Sequence, residues 1–360
     1  MKWKPQLAGM KAYQPGRSVE EVKKQYGLEE IIKLASNENP FGCSARVADF
    51  LKDYALNPAV YPDGYASKLR SAVAAFTGTP ETRLLFGSGS DEIIVMITRA
   101  LLGPDTNTVM ASPTFSQYRH NAIIEGAELR EVPLTEGKHD LEKMQEAIDD
   151  RTAVVWICSP NNPTGVLLST TEIRTFLKQV SQEVLVVLDE AYFEYITDGA
   201  YTDSVALLDE FPNLLILRTF SKAYGLAGFR IGYAIAQEAI IARLDPLRPP
   251  FNVTSISQGA AIAALSDQEF IEKCRKINST GLAKYETFAK KHQLHYYPSQ
   301  ANFILLEVKK DADSVFEELM KRGFIIRSGN ALGTPGYIRI TVGTEEENDK
   351  LLAALEEVAI

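Results

Sequence analysis

Short apolar runs alternate along residues 84–236 with longer stretches in which apolar residues recur at helical spacing. Such runs, rich in β-branched residues, are typical of strands that are buried on both faces of a sheet. They predict strands at Leu84–Phe86, Thr108–Ala111, Ala153–Cys158, Val184–Leu188, Leu214–Leu217 and Ile231–Ala236. Because helical segments separate these strands, the pattern predicts an α/β fold with a largely parallel sheet.

Helical spacing and capping signals predict the helices. Ser169 with Glu172, and Thr344 with Glu347, have the spacing of a capping box, which opens a helix. The first of these helices is expected to run to about Gln182. Apolar periodicity predicts further helices at Val19–Tyr26, Ala66–Phe76, Ile93–Leu102, Tyr118–Ile124, Ser255–Leu265 and Gln268–Lys291.

Three prolines between residues 246 and 250 interrupt the pattern and indicate a domain boundary. Beyond them, strands are predicted at Phe303–Val308, Ile325–Arg327 and Tyr337–Val342. We therefore predict an N-terminal arm (1–35), a large ligand-binding domain that contains the mostly parallel sheet (36–246), and a smaller C-terminal α/β domain (247–360) to which the arm returns.

Composition narrows the function classes. The 360-residue chain has 38 basic and 47 acidic side chains, and its net charge of −9 opposes non-specific binding to nucleic acid or anionic membranes. Its apolar runs are too short to cross a bilayer, and its first residues lack the apolar core of a signal peptide, so we expect a cytoplasmic protein. Cys43, Cys158 and Cys274 have no paired spacing, which predicts reduced thiols rather than disulfides or a metal site.

Polar motifs follow four of the predicted strands. They are the glycine turn Gly87–Glu92, SPNNPTG at 159–165, DEAY at 189–192 and TFSKAYGLAGFR at 219–230. Because the carboxyl ends of parallel strands meet at one edge of a sheet, we expect these motifs to form one site. Taken singly each has a plainer interpretation: Ser90 or Asp91 could simply cap a helix, and Asp189 could be a cap or half of a structural ion pair.

Lys222 is the candidate nucleophile. It follows a buried strand, with Thr219 and Ser221 close by and Arg230 further along, which suits a Schiff-base amine beside phosphate ligands. A lysine that merely ends a strand in solvent is the alternative. Phe115 also follows a predicted strand directly, where its ring could stack on a flat ligand or belong to the core.

In this order the motifs resemble those of the fold-type I pyridoxal-phosphate aminotransferases, and the resemblance covers nearly the whole chain. The segments LASNENPFG, YPDG and YIRITVGT make it similar to the histidinol-phosphate aminotransferase branch of that group. The resemblance implies an aspartate-aminotransferase-like fold, with a large domain and a smaller C-terminal one, the cofactor pyridoxal 5′-phosphate and a homodimer.

The resemblance also assigns roles around the cofactor. Lys222 would bind the cofactor covalently and move the proton, while Asp189 would pair with the pyridine nitrogen. The phenolic oxygen would accept hydrogen bonds from Asn162 and Tyr192, and Phe115 would stack on the ring. The implied phosphate ligands are the backbone amides of Ser90 and Asp91, the side chains of Thr219, Ser221 and Arg230, and Tyr61 from the partner subunit.

Substrate contacts are implied for Tyr13, Asn37, Arg327 and Arg339. Arg339 lies within RITVG, where a guanidinium fork could grip either the carboxylate of glutamate or the phosphate of histidinol phosphate. Tyr13 and Asn37 would close over the substrate.

The expected reaction is reversible amino transfer between L-histidinol phosphate and 2-oxoglutarate, giving imidazole acetol phosphate and L-glutamate, in histidine biosynthesis. One alternative is an aminotransferase for phenylalanine and tyrosine. Another is a decarboxylase of a phosphorylated amino acid, which carbon dioxide release would identify. A non-catalytic sensor ranks last, since no basic helix-turn-helix segment precedes residue 34.

Overall fold

The computed structural model describes residues 1–10, 12, 16–55 and 57–360. Its helices are α1 (Val19–Tyr26), α2 (Ala45–Asp53), α3 (Ser67–Thr77), α4 (Ser90–Leu101), α5 (Ser116–Glu125), α6 (Leu141–Glu146), α7 (Thr170–Leu177), α8 (Glu238–Leu244), α9 (Ser255–Leu265), α10 (Gln268–His292), α11 (Ala312–Lys321) and α12 (Glu345–Val358). Its strands are β1 (Ile32–Lys33), β2 (Leu84–Gly87), β3 (Asn107–Ser112), β4 (Glu128–Pro133), β5 (Thr152–Cys158), β6 (Leu185–Asp189), β7 (Leu214–Thr219), β8 (Gly232–Ala236), β9 (Phe303–Glu307), β10 (Phe324–Ile325), β11 (Arg327–Ser328) and β12 (Tyr337–Thr341).

The largest sheet has seven strands in the order β2-β8-β7-β6-β5-β3-β4. All run parallel except β8, which is antiparallel to both of its neighbours. The prediction of a largely parallel sheet is therefore confirmed. One consequence is that the carboxyl ends of β2, β5, β6 and β7 and the amino end of β8 share one edge of the sheet.

Both faces of this sheet are buried, as the continuous apolar runs predict. Side chains alternate between the faces of a strand, so Val155 and Ile157 enter one core cluster while Val154 and Trp156 enter another. Helices cover the two faces, and the ends of the strands are where polar side chains emerge.

A smaller antiparallel sheet, β11-β12-β9, packs against α10, α11 and α12. The N-terminal part returns to this region, as predicted. Strand β1 pairs in parallel with β10, and Val22 of α1 is buried with Met320 and Ile325.

Some predicted bounds are wrong for identifiable reasons. The helix opened by Ser169 ends at Leu177 rather than near Gln182, because β6 begins at Leu185 and the chain must turn before it. The strand predicted at Ile325–Arg327 is divided, since β10 pairs with β1 whereas β11 pairs with β12. Strand β4 has a mostly polar sequence and lies at the sheet edge, so its pattern gave no strand signal.

The predicted domain boundary stays a prediction. Residues just beyond it, among them Val253, Ala260 and Ala261, join the core cluster of the seven-stranded sheet, and α9 packs against α2 and α3. Over the described ranges, no helix has both the length and the apolar character that a membrane crossing requires.

Candidate active site

A cavity of about 910 Å³ opens at the carboxyl edge of the seven-stranded sheet. Side chains and loops from distant parts of the chain line it. The predicted site residues among them are Asn37, Ser90, Asp91, Phe115, Asn162, Asp189, Tyr192, Thr219, Ser221, Lys222, Arg230, Arg327 and Arg339. The fold therefore brings together residues that are up to about 300 positions apart in sequence.

Lys222 lies just beyond the end of β7 and lines the cavity. Its Nζ donates a hydrogen bond of 3.2 Å to the backbone oxygen of Ser36. Burial, together with the nearby positive charge of Arg339, lowers the pKa of Lys222 to about 8. A lysine in these surroundings supplies a neutral amine at much lower pH than a solvated lysine does.

Asp189 ends β6 and is only 3% exposed. Its Oδ2 accepts a hydrogen bond of 2.6 Å from the hydroxyl of Tyr118, and its Oδ1 accepts one of 3.1 Å from the backbone amide of Ala191. Among the described residues, no basic side chain forms an ion pair with it, and burial raises its pKa to about 6. A buried carboxylate that lines a cavity without a cationic partner is suited to receive a cationic or N–H group of a ligand.

The amino end of α4 forms an anion cradle. Gly89 is the N-cap, with φ of +78°, and no side chain caps the helix within the described residues, so the interpretation of Ser90 or Asp91 as the cap is wrong. The unpaired amides of the first turn and the positive end of the helix dipole favour an anion there. The positive φ favours glycine at position 89, where a Cβ would also lie 2.5 Å from Nη2 of Arg230.

Arg230 borders this cradle in a left-handed conformation, with φ of +50°. Its Nη1 donates to Ser221 Oγ at 3.3 Å, and its Nη2 lies 3.4 Å from Asp91 Oδ2. Thr219 Oγ1 accepts the amide of Ser221 at 3.1 Å. A strained arginine conformation that persists beside hydroxyls and free helix amides is typical of a functional site.

Asn37 and Tyr192 form a buried pair. The Nδ2 of Asn37 donates to the Tyr192 hydroxyl at 2.9 Å, while Asn37 Oδ1 accepts from Thr341 Oγ1 at 3.1 Å. Since the Tyr192 oxygen accepts from Asn37, its own proton is available to another acceptor. Burial also raises the pKa of Tyr192, which keeps the phenol protonated.

Two arginines face each other in the smaller sheet. Arg327 of β11 and Arg339 of β12 are direct partners in the antiparallel register, and both line the cavity. Arg339 is 7% exposed, and its Nη1 donates to Asn162 Oδ1 at 2.6 Å while its Nη2 donates to the oxygen of Ala35 at 2.8 Å. Like charges directly opposite each other destabilise a strand pair, so this arrangement favours an anion nearby.

One predicted contact, expected from the partner subunit, is absent from the cavity of its own chain. Tyr61 does not line it: the side chain is 77% exposed and stacks on Phe251, with ring centroids 4.6 Å apart. Tyr13 lies outside the described residues.

Other residues of the site were not predicted from the sequence. Tyr118 contacts Asp189 from within a helix whose pattern marks it only as core. Arg17 lines the cavity and donates to the side chain of Gln25. The segment AYQPGR, which contains Arg17, was the available signal for it.

Comparison with known proteins identifies the family. The model of the family described as "Aminotransferase class I and II" matches residues 29–355. The chain belongs to this family. The resemblance found in the motifs is therefore confirmed, and the chain is a pyridoxal-phosphate-dependent transaminase.

Relatives in this family extend over the full chain. The histidinol-phosphate aminotransferase of Lysinibacillus sphaericus is 61% identical over 358 residues, which are 99% of this chain and 98% of the relative. The enzyme of that name from Bacillus subtilis (strain 168) is 54% identical over 359 residues, 99% of this chain and 100% of the relative. The crystal structure of histidinol-phosphate aminotransferase from Sinorhizobium meliloti in complex with pyridoxal-5′-phosphate has a TM-score of 0.90 and 28% identity, covering 99% of this chain and 97% of that one. The predicted fold-type I aminotransferase fold is thus confirmed.

The described residues fit the cofactor of such an enzyme. Asp189 is a buried carboxylate without an ionic partner among them, which suits a pyridine N–H. The uncapped amino end of α4 beside Arg230 suits a phosphate. Lys222, with its lowered pKa, suits an aldehyde. These three groups line one cavity.

Proposed function

We propose that this chain catalyses reversible amino transfer between L-histidinol phosphate and 2-oxoglutarate, giving imidazole acetol phosphate and L-glutamate, with pyridoxal 5′-phosphate as cofactor. The observation that carries the proposal is the cavity in which Lys222 and Asp189 share a space with the facing arginines Arg327 and Arg339. The 61% identical relative, which spans nearly the whole chain, is named a histidinol-phosphate aminotransferase and so supports histidinol phosphate as the amino donor.

The cofactor, when bound, supplies an aldehyde that takes up the amino group and a pyridine ring that accepts electrons. In this proposal, Asp189 binds the pyridine nitrogen, and Phe115 covers a face of the ring. The hydroxyl of Tyr192 donates to the phenolic oxygen, because Asn37 occupies its acceptor side. Asn162, held by Arg339, contacts the same oxygen. The phosphate-binding groups are the amides of Ser90 and Asp91 and the side chains of Thr219, Ser221 and Arg230.

Lys222 has two tasks in this proposal. Its amine would hold the cofactor through the aldehyde, and the lowered pKa makes more of the neutral amine available near neutral pH than in a solvated lysine. When the substrate is bound, Lys222 Nζ would take up the proton from the substrate carbon that bears the amino group and release it to the cofactor carbon that carried the aldehyde. The lowered pKa suits both directions of the proton transfer.

In this proposal, Arg327 and Arg339 explain how one site binds two chemically different substrates. Glutamate presents carboxylates and histidinol phosphate presents a phosphate, and a guanidinium fork binds either anion with two parallel hydrogen bonds. Arg339 is anchored to Asn162 and Ala35, whereas Arg327 faces it from the next strand. An anion between them would relieve their mutual repulsion.

The first experiment follows the cofactor absorbance of the purified protein after mixing with glutamate, and then with L-histidinol phosphate or phenylalanine as amino donor. Both glutamate and histidinol phosphate should convert the cofactor, with histidinol phosphate giving the highest specificity constant among the donors other than glutamate. Lys222→Ala is the control and should give no conversion. A preference for phenylalanine would instead assign an aromatic amino-acid aminotransferase, and carbon dioxide release would assign a decarboxylase.

We also propose a homodimer in which Tyr61 reaches the cofactor phosphate of the partner subunit. Val60, Tyr61, Tyr65 and Phe251 are all exposed although they are large and apolar or aromatic. Tyr61 and Phe251 stack on each other, so their exposed rings lie side by side, as at the surfaces where proteins associate. Tyr61 has no place in the cavity of its own chain.

Mixed subunits test this arrangement. Lys222→Ala and Tyr61→Ala chains should each be inactive or weak when tested alone. The two variants are mixed in denaturant and refolded together, so that heterodimers form. If Tyr61 acts across the interface, the Tyr61→Ala subunit keeps Lys222 and receives an intact Tyr61, so activity returns at one site per heterodimer. No recovery in a verified heterodimer would place Tyr61 in its own subunit's site or outside any site.

The cytoplasmic location stays a prediction.

A further inference from the structure

Tyr118 is a fully buried tyrosine that does not line the cavity but contacts a residue that does. Its hydroxyl donates the 2.6 Å hydrogen bond to Asp189 Oδ2. A hydrogen bond from a phenol to a carboxylate in a site of low polarity is both short and strong. A phenylalanine at this position would keep the aromatic ring and remove only the hydroxyl.

The ring of Tyr118 is held on two sides. It stacks on Trp156, with centroids 4.7 Å apart and an interplanar angle of 11°. The indole is itself anchored, since its Nε1 donates to Thr108 Oγ1 at 2.9 Å. Phe115, which lines the cavity, packs edge-on at 5.5 Å. The direction of the phenol hydroxyl is therefore fixed by its aromatic neighbours.

The electrostatic setting gives this hydroxyl an effect on Asp189. Burial opposes the charged carboxylate, and a donated hydrogen bond favours it. Burial and the adjacent carboxylate raise the pKa of Tyr118 well above its usual value, so the phenol remains the donor. Burial raises the pKa of the Cys158 thiol to about 12. The thiol is therefore neutral and adds no negative charge beside Tyr118 and Asp189.

We propose that Tyr118 is a positioning residue that orients the Asp189 carboxylate and holds it ionised against the pyridine nitrogen of the cofactor, an inference that rests on the proposed function. Each carboxylate oxygen accepts more than one hydrogen bond, so the bonds from Tyr118 and Ala191 leave capacity for the pyridine N–H. Without Tyr118, the proton between ring and carboxylate moves from the nitrogen toward Asp189. The ring then accepts electrons less well.

The neighbouring carboxylate provides a matched control. Tyr201 donates to Glu190 Oε1, as Tyr118 donates to Asp189, but neither Tyr201 nor Glu190 lines the cavity. Tyr201→Phe therefore removes the same chemical group from a phenol–carboxylate pair that does not face the cofactor.

The experiment uses holoenzyme reconstituted with cofactor that carries ¹⁵N in the pyridine ring. The nitrogen resonance should indicate a protonated ring in the wild type and in Tyr201→Phe, and should move toward the neutral position in Tyr118→Phe. The rate of the half-reaction with glutamate should fall about tenfold in Tyr118→Phe, the size expected for a lost hydrogen bond to a charged group. With an analogue that has CH in place of the ring nitrogen, the Tyr118→Phe effect should vanish.

An unchanged nitrogen resonance in Tyr118→Phe, or an equal loss of rate with both cofactors, would mean that Tyr118 only packs, and would overturn the inference while leaving the proposed function intact. If Tyr118→Phe does not fold, Trp156→Phe is measured instead, because it weakens the stacking that holds the Tyr118 ring in place. A shift of the nitrogen resonance in the same direction then supports the inference, and an unchanged resonance overturns it. A wild-type protein that took up no cofactor would overturn both proposals.

Discussion

Asp189 and Glu190 are neighbours at the end of β6, and both are buried, yet their surroundings differ. Successive side chains of an extended chain point to opposite sides, so the two carboxylates enter different environments. Asp189 lines the cavity and receives only a phenol and a backbone amide among the described residues.

Glu190, in contrast, has a buried cationic partner. Arg218 contacts Glu190 Oε2 through Nε and Nη2, both at 2.9 Å, and also pairs with Asp203 at 2.7 Å. The guanidinium lies 3.7 Å over the ring of Phe193, and Tyr201 donates to the other oxygen of Glu190. A buried carboxylate with its own cation is part of the architecture, whereas one without a cation is a binding site for a partner that arrives later.

Removing the charge of Glu190 should have the largest effect. In Glu190→Gln, Arg218 would keep the half-exposed Asp203 as its one ion-pair partner among the described residues. Breaking a buried ion pair typically costs about 3–5 kcal/mol of the free energy of unfolding. Urea unfolding of the variant measures this loss, and turnover per folded molecule should stay at the wild-type level. A variant as stable as the wild type would show that the two carboxylates do not differ in this way.

Removing the charge of Asp189 should act on catalysis instead. Asp189→Asn should keep its fold but lose turnover on the order of 10²-fold, because a neutral amide no longer stabilises the protonated ring. Steady-state kinetics with glutamate and histidinol phosphate measure the effect, and circular dichroism checks the fold. Turnover near the wild-type value would make Asp189 a structural carboxylate.

The pH dependence of stability should distinguish Asp189 in the cofactor-free protein. Its pKa is about 6 in the folded chain, above the usual value of 3.8, so the folded state retains a proton that the unfolded state has lost. Stability from this group is therefore present at low pH and lost as the pH rises through about 6. Above that pH, ionisation costs about 2–3 kcal/mol more in the folded than in the unfolded chain.

Asp189→Asn removes this cost, so the cofactor-free variant should be the more stable protein at pH 8 and should match the wild type at a pH well below 3.8, the usual pKa of the group. Burial raises the pKa of Glu194 to about 7, so Glu194 adds the same pH dependence of stability to both proteins. Only the difference in stability between the wild type and Asp189→Asn therefore reports on Asp189. Thermal unfolding at the two pH values gives that difference. An equal difference at both pH values would contradict the assigned pKa.

The smallest effect is expected from Tyr201→Phe. It deletes one hydrogen bond to the charged Glu190, which remains paired with Arg218, so the loss should be about 1.5 kcal/mol. Chemical denaturation measures it, and the rate with glutamate should not change. A change in that rate would indicate that the Glu190 cluster also affects the cofactor site.

The strand-end motifs show why so much of the site could be predicted. Lys222, Asp189 and Asn162 lie at or beyond the carboxyl ends of parallel strands, which meet at one edge of the sheet whatever the details of packing. Arg230 reaches the same edge because it precedes β8, which is antiparallel to its neighbours. The order of the motifs therefore predicts a common cavity, and the cavity contains all four.

Other members of the site depend on contacts between elements that the sequence pattern does not relate. Tyr118 has the apolar spacing of a core residue, and only the packing of α5 on the sheet directs its hydroxyl to Asp189. The register that sets Arg327 opposite Arg339 likewise follows from the pairing of β11 with β12, after β10 has joined another sheet.

By itself, the sequence determined the α/β class, the strands that carry the chemistry and the choice of Lys222 as the reactive amine. Periodicity and strand-end motifs are local properties of the chain, so they can be recognised without the fold. The tertiary structure alone decided that Asp189 has no basic partner among the described residues while Glu190 has one, and that Asn37 binds the Tyr192 hydroxyl. The physical reason is that the charge state and direction of a buried polar group are set by the few atoms packed around it, and those atoms come from remote segments.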